Sequence, residues 1–226
     1  TQAVATLTSD ARLLVSAGTL SVTGDLQLRG GLRQTGGNLL LAGSGAVQGG
    51  LSLEGGTGTV NGALDVDTLS LAGGTLAGTG TVAVAASSSW TAGTLLGTGT
   101  LSFNGDLAIA GAADKQLLGG RLLNLLGTTT WSGATGVDTN SFYTGPATIN
   151  NAGTFIDANA FSTIWRDWYG GDPLVFNNSG TYRKTGAGTT TLDVVLVNTG
   201  AVDVQAGVLA LTRGGSAGAE GALVLE

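Results

Sequence analysis

Few side chains in this 226-residue chain can do chemistry: there is no His and no Cys, and 15 Asp and Glu stand against 9 Lys and Arg. Without His or Cys, neither a Ser-His-Asp nor a Cys-His nucleophile can be assembled, and the usual zinc sites lose their ligands. The P-loop, the EF-hand and the calcium-binding nonapeptide with its Gly-Gly-x-Gly-x-Asp core are not present. What remains is carboxylate chemistry. Cleaving a polysaccharide needs clustered acids, or a carboxylate-bound cation with a basic residue nearby. The best-spaced pair is Asp65 and Asp67, which alternation along one strand places on the same outward side, about 7 Å apart. Most other acids are scattered singly, so surface carboxylates that keep the molecule soluble are expected here, not an enzyme, a cofactor or a metal.

A second stretch carries recognition chemistry. Ile164-Trp165-Arg166-Asp167-Trp168-Tyr169-Gly170-Gly171-Asp172-Pro173 is the densest aromatic and charged segment of the chain. Proline cannot donate to a β-ladder, so this piece is expected to leave the regular structure as a loop. On such a loop Trp165, Arg166, Asp167, Trp168 and Tyr169 would stack on a sugar ring or anchor a partner protein. The alternative is that Trp165 and Trp168 fold back over an apolar gap.

The elements that position these residues follow from an internal repeat. Gly74 to Val84 returns almost unchanged as Gly93 to Phe103, and a Gly followed by a small and an apolar residue marks Gly18, Gly37, Gly56, Gly74, Gly93, Gly111, Gly133, Gly153, Gly180 and Gly200. A period near 20 with glycine at the joints signals a solenoid, whose units bury their apolar faces only by stacking. Helical repeats are longer and tolerate little glycine. Alternation in Leu51-Ser52-Leu53, Leu69-Ser70-Leu71 and Val82-Ala83-Val84 points to short strands with one set of side chains inward. The expected fold is all-β, a right-handed single-stranded parallel β-helix of roughly ten or eleven coils of about 20 residues. It forms one domain over 1–226, with 1–17 an irregular first coil or partial cap and 157–176 the coil with the inserted loop.

Three further patterns refine this reading. Ser87-Ser88-Ser89-Trp90, Thr128-Thr129-Thr130-Trp131 and Thr189-Thr190-Thr191-Leu192 are spaced as whole coils, which stacks Trp90 and Trp131 two coils apart. Asn151, Asn178 and Asn198 each stand two residues before a Gly, turn chemistry that would build an amide ladder. Thr57/Thr59, Thr79/Thr81, Thr98/Thr100, Thr128/Thr130 and Thr189/Thr191 each point two hydroxyls the same way, a motif that resembles the Thr grid of some ice-binding solenoids, although the uneven steps would break a flat grid.

Composition narrows the partners. A net charge of −6 removes the electrostatic footprint of a nucleic-acid or anionic-membrane binder, and no apolar run approaches the roughly 18 residues of a membrane span. The lack of Cys leaves the compartment open; for an exported protein the signal would lie outside the sequence from Thr1.

The unit Ala17-Gly18-Thr19-Leu20-Ser21-Val22-Thr23-Gly24-Asp25-Leu26-Gln27-Leu28 resembles the repeat of filamentous-haemagglutinin-like adhesins and related bacterial autotransporter passengers. The later Asn-x-Gly-Thr units resemble repeats of large bacterial surface proteins of the same general kind. The resemblance spans most of residues 18 to 215 through degenerate motifs. It implies a β-helix exported across an outer membrane, secreted or displayed at the cell surface, that works as an adhesive rod. Its partners would be a glycan or protein of a host or neighbouring cell, or further copies of itself. A polysaccharide-binding or polysaccharide-degrading β-helix and an ice-binding solenoid are the alternatives.

Overall fold

A computed structural model describes residues 1–139, 145–167, 171–217 and 222–225. They form a β-solenoid of about eleven coils with no helix. Most coils contribute three short strands, and equivalent strands stack in parallel along three sides, here called faces 1, 2 and 3 in chain order; faces 1 and 3 join into one 20-stranded sheet and face 2 is an 11-stranded sheet. The first coil supplies Gln2–Val4, Leu7–Ser9 and Leu13–Val15, one strand to each face. These pair in register with Leu20 to Val22, Leu26 to Leu28 and Leu32 to Gln34 of the second coil. Of the two expectations for residues 1–17, an irregular first coil or a partial cap, these strands make them a first coil in register with the second. In the middle coils the strands Leu69–Ala77 and Ser88–Leu95 run around the corner from face 3 to face 1 without a break.

Alternation sets the interior. In Leu64, Val66, Val82, Val84, Leu101, Phe103, Leu123 and Leu125 every second residue of a face 2 strand is buried, while the residues between them are exposed or half-buried. The column continues through Ile149, Phe176 and Leu196. Trp90, Ile109 and Trp131 form a similar inward column on face 3, so the two tryptophans stand two coils apart as the spacing requires. Burial of this apolar set supplies the driving force, at about 25 cal/mol per Å² removed from water. The third hydroxyl run, Thr189 to Leu192, belongs to face 1, whereas Thr128 to Trp131 belongs to face 3. Whole-coil spacing alone does not distinguish the three sides.

The glycine run divides in the same way. Gly37 and Gly56 stack over Gly18 and Gly37, and Gly93 over Gly74, at the corner between faces 3 and 1; Gly133 lies over Gly111 at the same corner. Gly153, Gly180 and Gly200 instead stack over Gly127, Gly153 and Gly180 at the corner between faces 2 and 3. Glycine is required at these places because adjacent coils approach closely: a Cβ on Gly62 would sit 2.0 Å from the carbonyl oxygen of Gly43.

Coil length changes along the rod. On face 2 the register advances by 18 or 19 residues as far as Leu101, then by 22, 26 and 27 through Leu123, Ile149 and Phe176. The faces stay in register through these longer coils. Where the coils lengthen, aromatic rings fill the core: Trp131 meets Trp165 edge-on at 5.5 Å, and Phe155 stacks on Tyr182 at 5.3 Å.

Buried polar groups are organised as ladders and carbonyl caps. Asn151 Nδ2 donates to Asn178 Oδ1 and Asn178 Nδ2 to Asn198 Oδ1, both at 2.7 Å. The same amide nitrogens also reach the Thr181 and Ala201 carbonyls, so the expected asparagine ladder exists and faces inward. Arg121, 1% exposed, donates to the Leu96, Leu76 and Gly78 carbonyls of two neighbouring coils, and burial lowers its pKa to about 10. A second ladder, Asn124, Asn150 and Asn177, runs along the outside of face 2 at 3.0 and 2.9 Å.

Two expectations follow. Gly62→Val should destabilise the rod by roughly 1–3 kcal/mol, since backbone of the adjacent coil must move. Gly120→Ala, whose added Cβ meets nothing nearer than 3.7 Å, should leave the urea midpoint within experimental spread. Asn178→Ala should cost about 2–4 kcal/mol because it strands buried donors and acceptors. Asn150→Ala should cost under about 1 kcal/mol because water replaces its partners; equal losses for the two would contradict the inward and outward assignment.

Candidate functional site

The outward side of face 1 gathers residues that are far apart in sequence. Register stacks Thr19, Asn38, Thr57, Thr75, Thr94, Gln116, Asp138 and Arg166 in one file, one residue per coil. Each stands beside the next at the strand spacing of about 4.8 Å. Their inward neighbours, Leu39, Leu76, Leu95, Leu117, Val137 and Trp165, are buried, which fixes the file outward. Through Gln116 the file offers hydroxyls and amides, with Thr94 Oγ1 donating to Gln116 Oε1 at 3.1 Å. Beyond it the chemistry becomes ionic: Arg166 pairs with Asp138 at 3.2 Å, and Arg213 with Asp193 at 2.7 Å.

The aromatic segment borders this file in a different way from the sequence expectation. Thr163–Asp167 is a face 1 strand, in register with Val137 to Thr139 on one side and Thr190 to Leu192 on the other. Trp165 points inward, 1% exposed, against Trp131 and Phe155. Trp165 is thus a core residue and not a contact residue on a loop: alternation places Ile164 and Arg166 outside and the indole between them inside. Arg166 faces outward in the file. Asp167 closes the strand, and Trp168 and Tyr169 lie outside the described residues. The coil expected to carry an inserted loop, 157–176, contains the face 1 strand Thr163–Asp167, with residues 158–162 at the corner before it.

Phe161, at the corner that leads into this strand, is 68% exposed, the most exposed large apolar side chain among the described residues. Sequence reasoning missed it. The available signal was a lone aromatic within Ala158-Asn159-Ala160-Phe161-Ser162, a run without alternation.

The carboxylate pair is also placed. Asp65 is outward on the face 2 strand Ala63–Val66, Asp67 follows its end, and both are exposed. They line a shallow groove with Gln48, Asn104 and small residues, and no Lys or Arg belongs to its described lining. No group of three or more His, Cys, Asp or Glu able to hold a metal occurs among the described residues. The Thr pairs do not form a grid: Thr57/Thr59 and Thr189/Thr191 are on face 1, Thr128/Thr130 on face 3, and Thr81 and Thr100 on face 2.

Ion pairs elsewhere tie successive coils at the surface. Arg33 on face 3 holds Glu54 through two hydrogen bonds of 2.7 and 2.6 Å. These bonds keep the Glu54 carboxyl at about 2, helped by the Ser52 hydroxyl and by the Arg33 charge. No protein family, no curated protein and no solved structure matches the chain.

Because the folded-state pKa of Glu54 lies below its ordinary value, this pair contributes above the ordinary carboxylate range and the contribution is lost as pH falls towards 2. A carbon-detected titration should find the Glu54 carboxyl still ionised at pH 3, and Arg33→Gln should return its midpoint to the ordinary range. An ordinary midpoint in the native chain would show that the bidentate contact does not form in solution.

Proposed function

We propose that this chain is a segment of an extracellular structural and adhesive rod belonging to a larger bacterial surface or matrix protein, and that face 1 is its contact strip. The observation that carries the reading is the face 1 file. A file of hydroxyl, amide and charged groups repeated at coil spacing suits an extended glycan, whose hydroxyls recur along one direction, or a strand-like segment of a partner protein. Phe161 at its border adds an apolar surface on which a sugar ring can stack, and Trp168 and Tyr169 follow the same strand in sequence. The stacked coils supply reach: about eleven coils at roughly 4.8 Å span on the order of 50 Å. Secretion or display at the bacterial cell surface follows from the resemblance of the repeat to adhesin and autotransporter-passenger units.

The competing enzymatic reading would place Asp65 and Asp67 in a polysaccharide-cleaving groove; it lacks a basic partner in the described lining there. The ice-binding reading has one file of Thr, but the file beside it is Ser21, Leu40, Thr59 and Ala77, which offers no matching second row. Association of copies end to end is a second structural reading. It is favoured by the exposed Val208 and Leu211 on the face 1 strand Val208–Leu211.

Replacing Thr57, Thr75 and Thr94 together by Ala should weaken adhesion to bacterial or host-cell glycan surfaces by at least about tenfold, at roughly 0.5–1.5 kcal/mol for each of three lost hydrogen bonds. Far-ultraviolet circular dichroism should stay unchanged. Phe161→Ala should act in the same direction. Ser52, Ser70 and Ser89, the corresponding file on face 3, serve as the control. Equal binding by the face 1 and face 3 variants would refute the strip.

A further inference from the structure

The interior of the long coils holds a polar cluster that neither the rod architecture nor the contact strip uses. Asp157 and Lys184 are register partners on adjacent face 3 strands, both point inward, and both side chains are 0% exposed. Lys184 Nζ lies 3.5 Å from Asp157 Oδ2 and donates to the Gly186 carbonyl at 3.1 Å. The two carboxylate oxygens are held differently. Oδ1 accepts two N–H donors, the Asn159 backbone amide at 3.2 Å and Asn159 Nδ2 at 2.9 Å. Oδ2 accepts two O–H donors, Tyr182 at 3.1 Å and Thr190. Phe155 stacks on the Tyr182 ring, and Trp131 is the register neighbour of Asp157 in the coil before.

This arrangement matches the requirements of acyl transfer. Two converging N–H donors stabilise negative charge as it develops on a carbonyl oxygen. A hydroxyl beside the other oxygen can pass a proton to a leaving group. An amine held against the carboxyl in one geometry gains the large rate advantage of an intramolecular reaction. We propose that Lys184 and Asp157 join through an amide bond that staples two consecutive coils.

One proton first moves from the Lys184 ammonium to the Asp157 carboxylate, leaving an amine and a carboxylic acid. Nζ then attacks Cγ, and the electron pair of the carbonyl moves onto Oδ1 between the two Asn159 donors. As that pair returns, the Cγ–Oδ2 bond breaks. Tyr182 gives its proton to the departing Oδ2 hydroxyl and recovers one from Nζ. The balance is one ammonium and one carboxylate giving one secondary amide and one water, with no oxidant or other reactant. The dry core disfavours hydrolysis of the product.

Intact-mass measurement of the purified protein tests this directly. The expected result is a chain lighter by one water, with tryptic digestion failing after Lys184 and giving a branched peptide that contains Lys184 and Asp157. Lys184→Met and Asp157→Asn should restore the full sequence mass. Tyr182→Phe, which keeps the ring packing, should leave a mixture of joined and unjoined chains. A native chain at full sequence mass overturns the proposal. So does loss of ammonia with Lys184 joined to Asn159, or loss of water located at any other residue.

Discussion

Everything in this molecule depends on the close approach of one coil's backbone to the next. The hydrogen bonds run between coils, so each strand finds its partners roughly a coil length away in sequence. The bonds hold only if the corners allow neighbouring coils to descend to the same spacing as the faces. At Gly62, Gly80, Gly153, Gly180 and Gly200 the carbonyl of the preceding coil occupies the space a side chain would need. Glycine at the corners and aliphatic residues on the inner sides of the faces are two expressions of that one constraint. Length variation is tolerated where it does not disturb this approach. Coils of 26 and 27 residues therefore keep their faces in register with coils of 19.

The architecture was legible because both terms of the constraint are local and repetitive. A run of Gly, small and apolar residues near a period of 20 has few other solutions. The same cues did not identify the side of the coil. A three-sided coil has three corners with similar chemistry, so one glycine marker followed along the chain passes from one corner to another between Gly133 and Gly153 without any change of pattern. Thr189 to Leu192 reads like Thr128 to Trp131 for the same reason, although the two runs lie on different faces.

The candidate site was less legible than the fold. Trp165 looked available because it stands among charged residues upstream of Pro173, yet strand alternation carries through Asp167 and turns its ring inward. The face 1 file leaves no local trace. Its members are single polar residues separated by whole coils, and only register brings Thr19, Asn38, Thr57, Thr75 and Thr94 together. Buried Lys115, Arg121 and Lys184 escaped notice for a related reason. Composition assigns charged side chains to the surface, whereas here they close carbonyls and ladders that apolar residues cannot satisfy.

The bonding of each coil chiefly to its two neighbours governs how the rod bears tension. Pulled lengthwise, it has few contacts among the described residues that reach past the adjacent coil, Arg121 on Leu76 and Gly78 being one, so coils detach singly from an extremity, each releasing a short length of chain. The polar and aromatic interior around Asp157, Asn178 and Tyr182 interrupts that series, because three successive coils are cross-linked there by side chains as well as by backbone. A tether built this way yields gradually over its thin coils and arrests at the thick ones, absorbing work before it lets go.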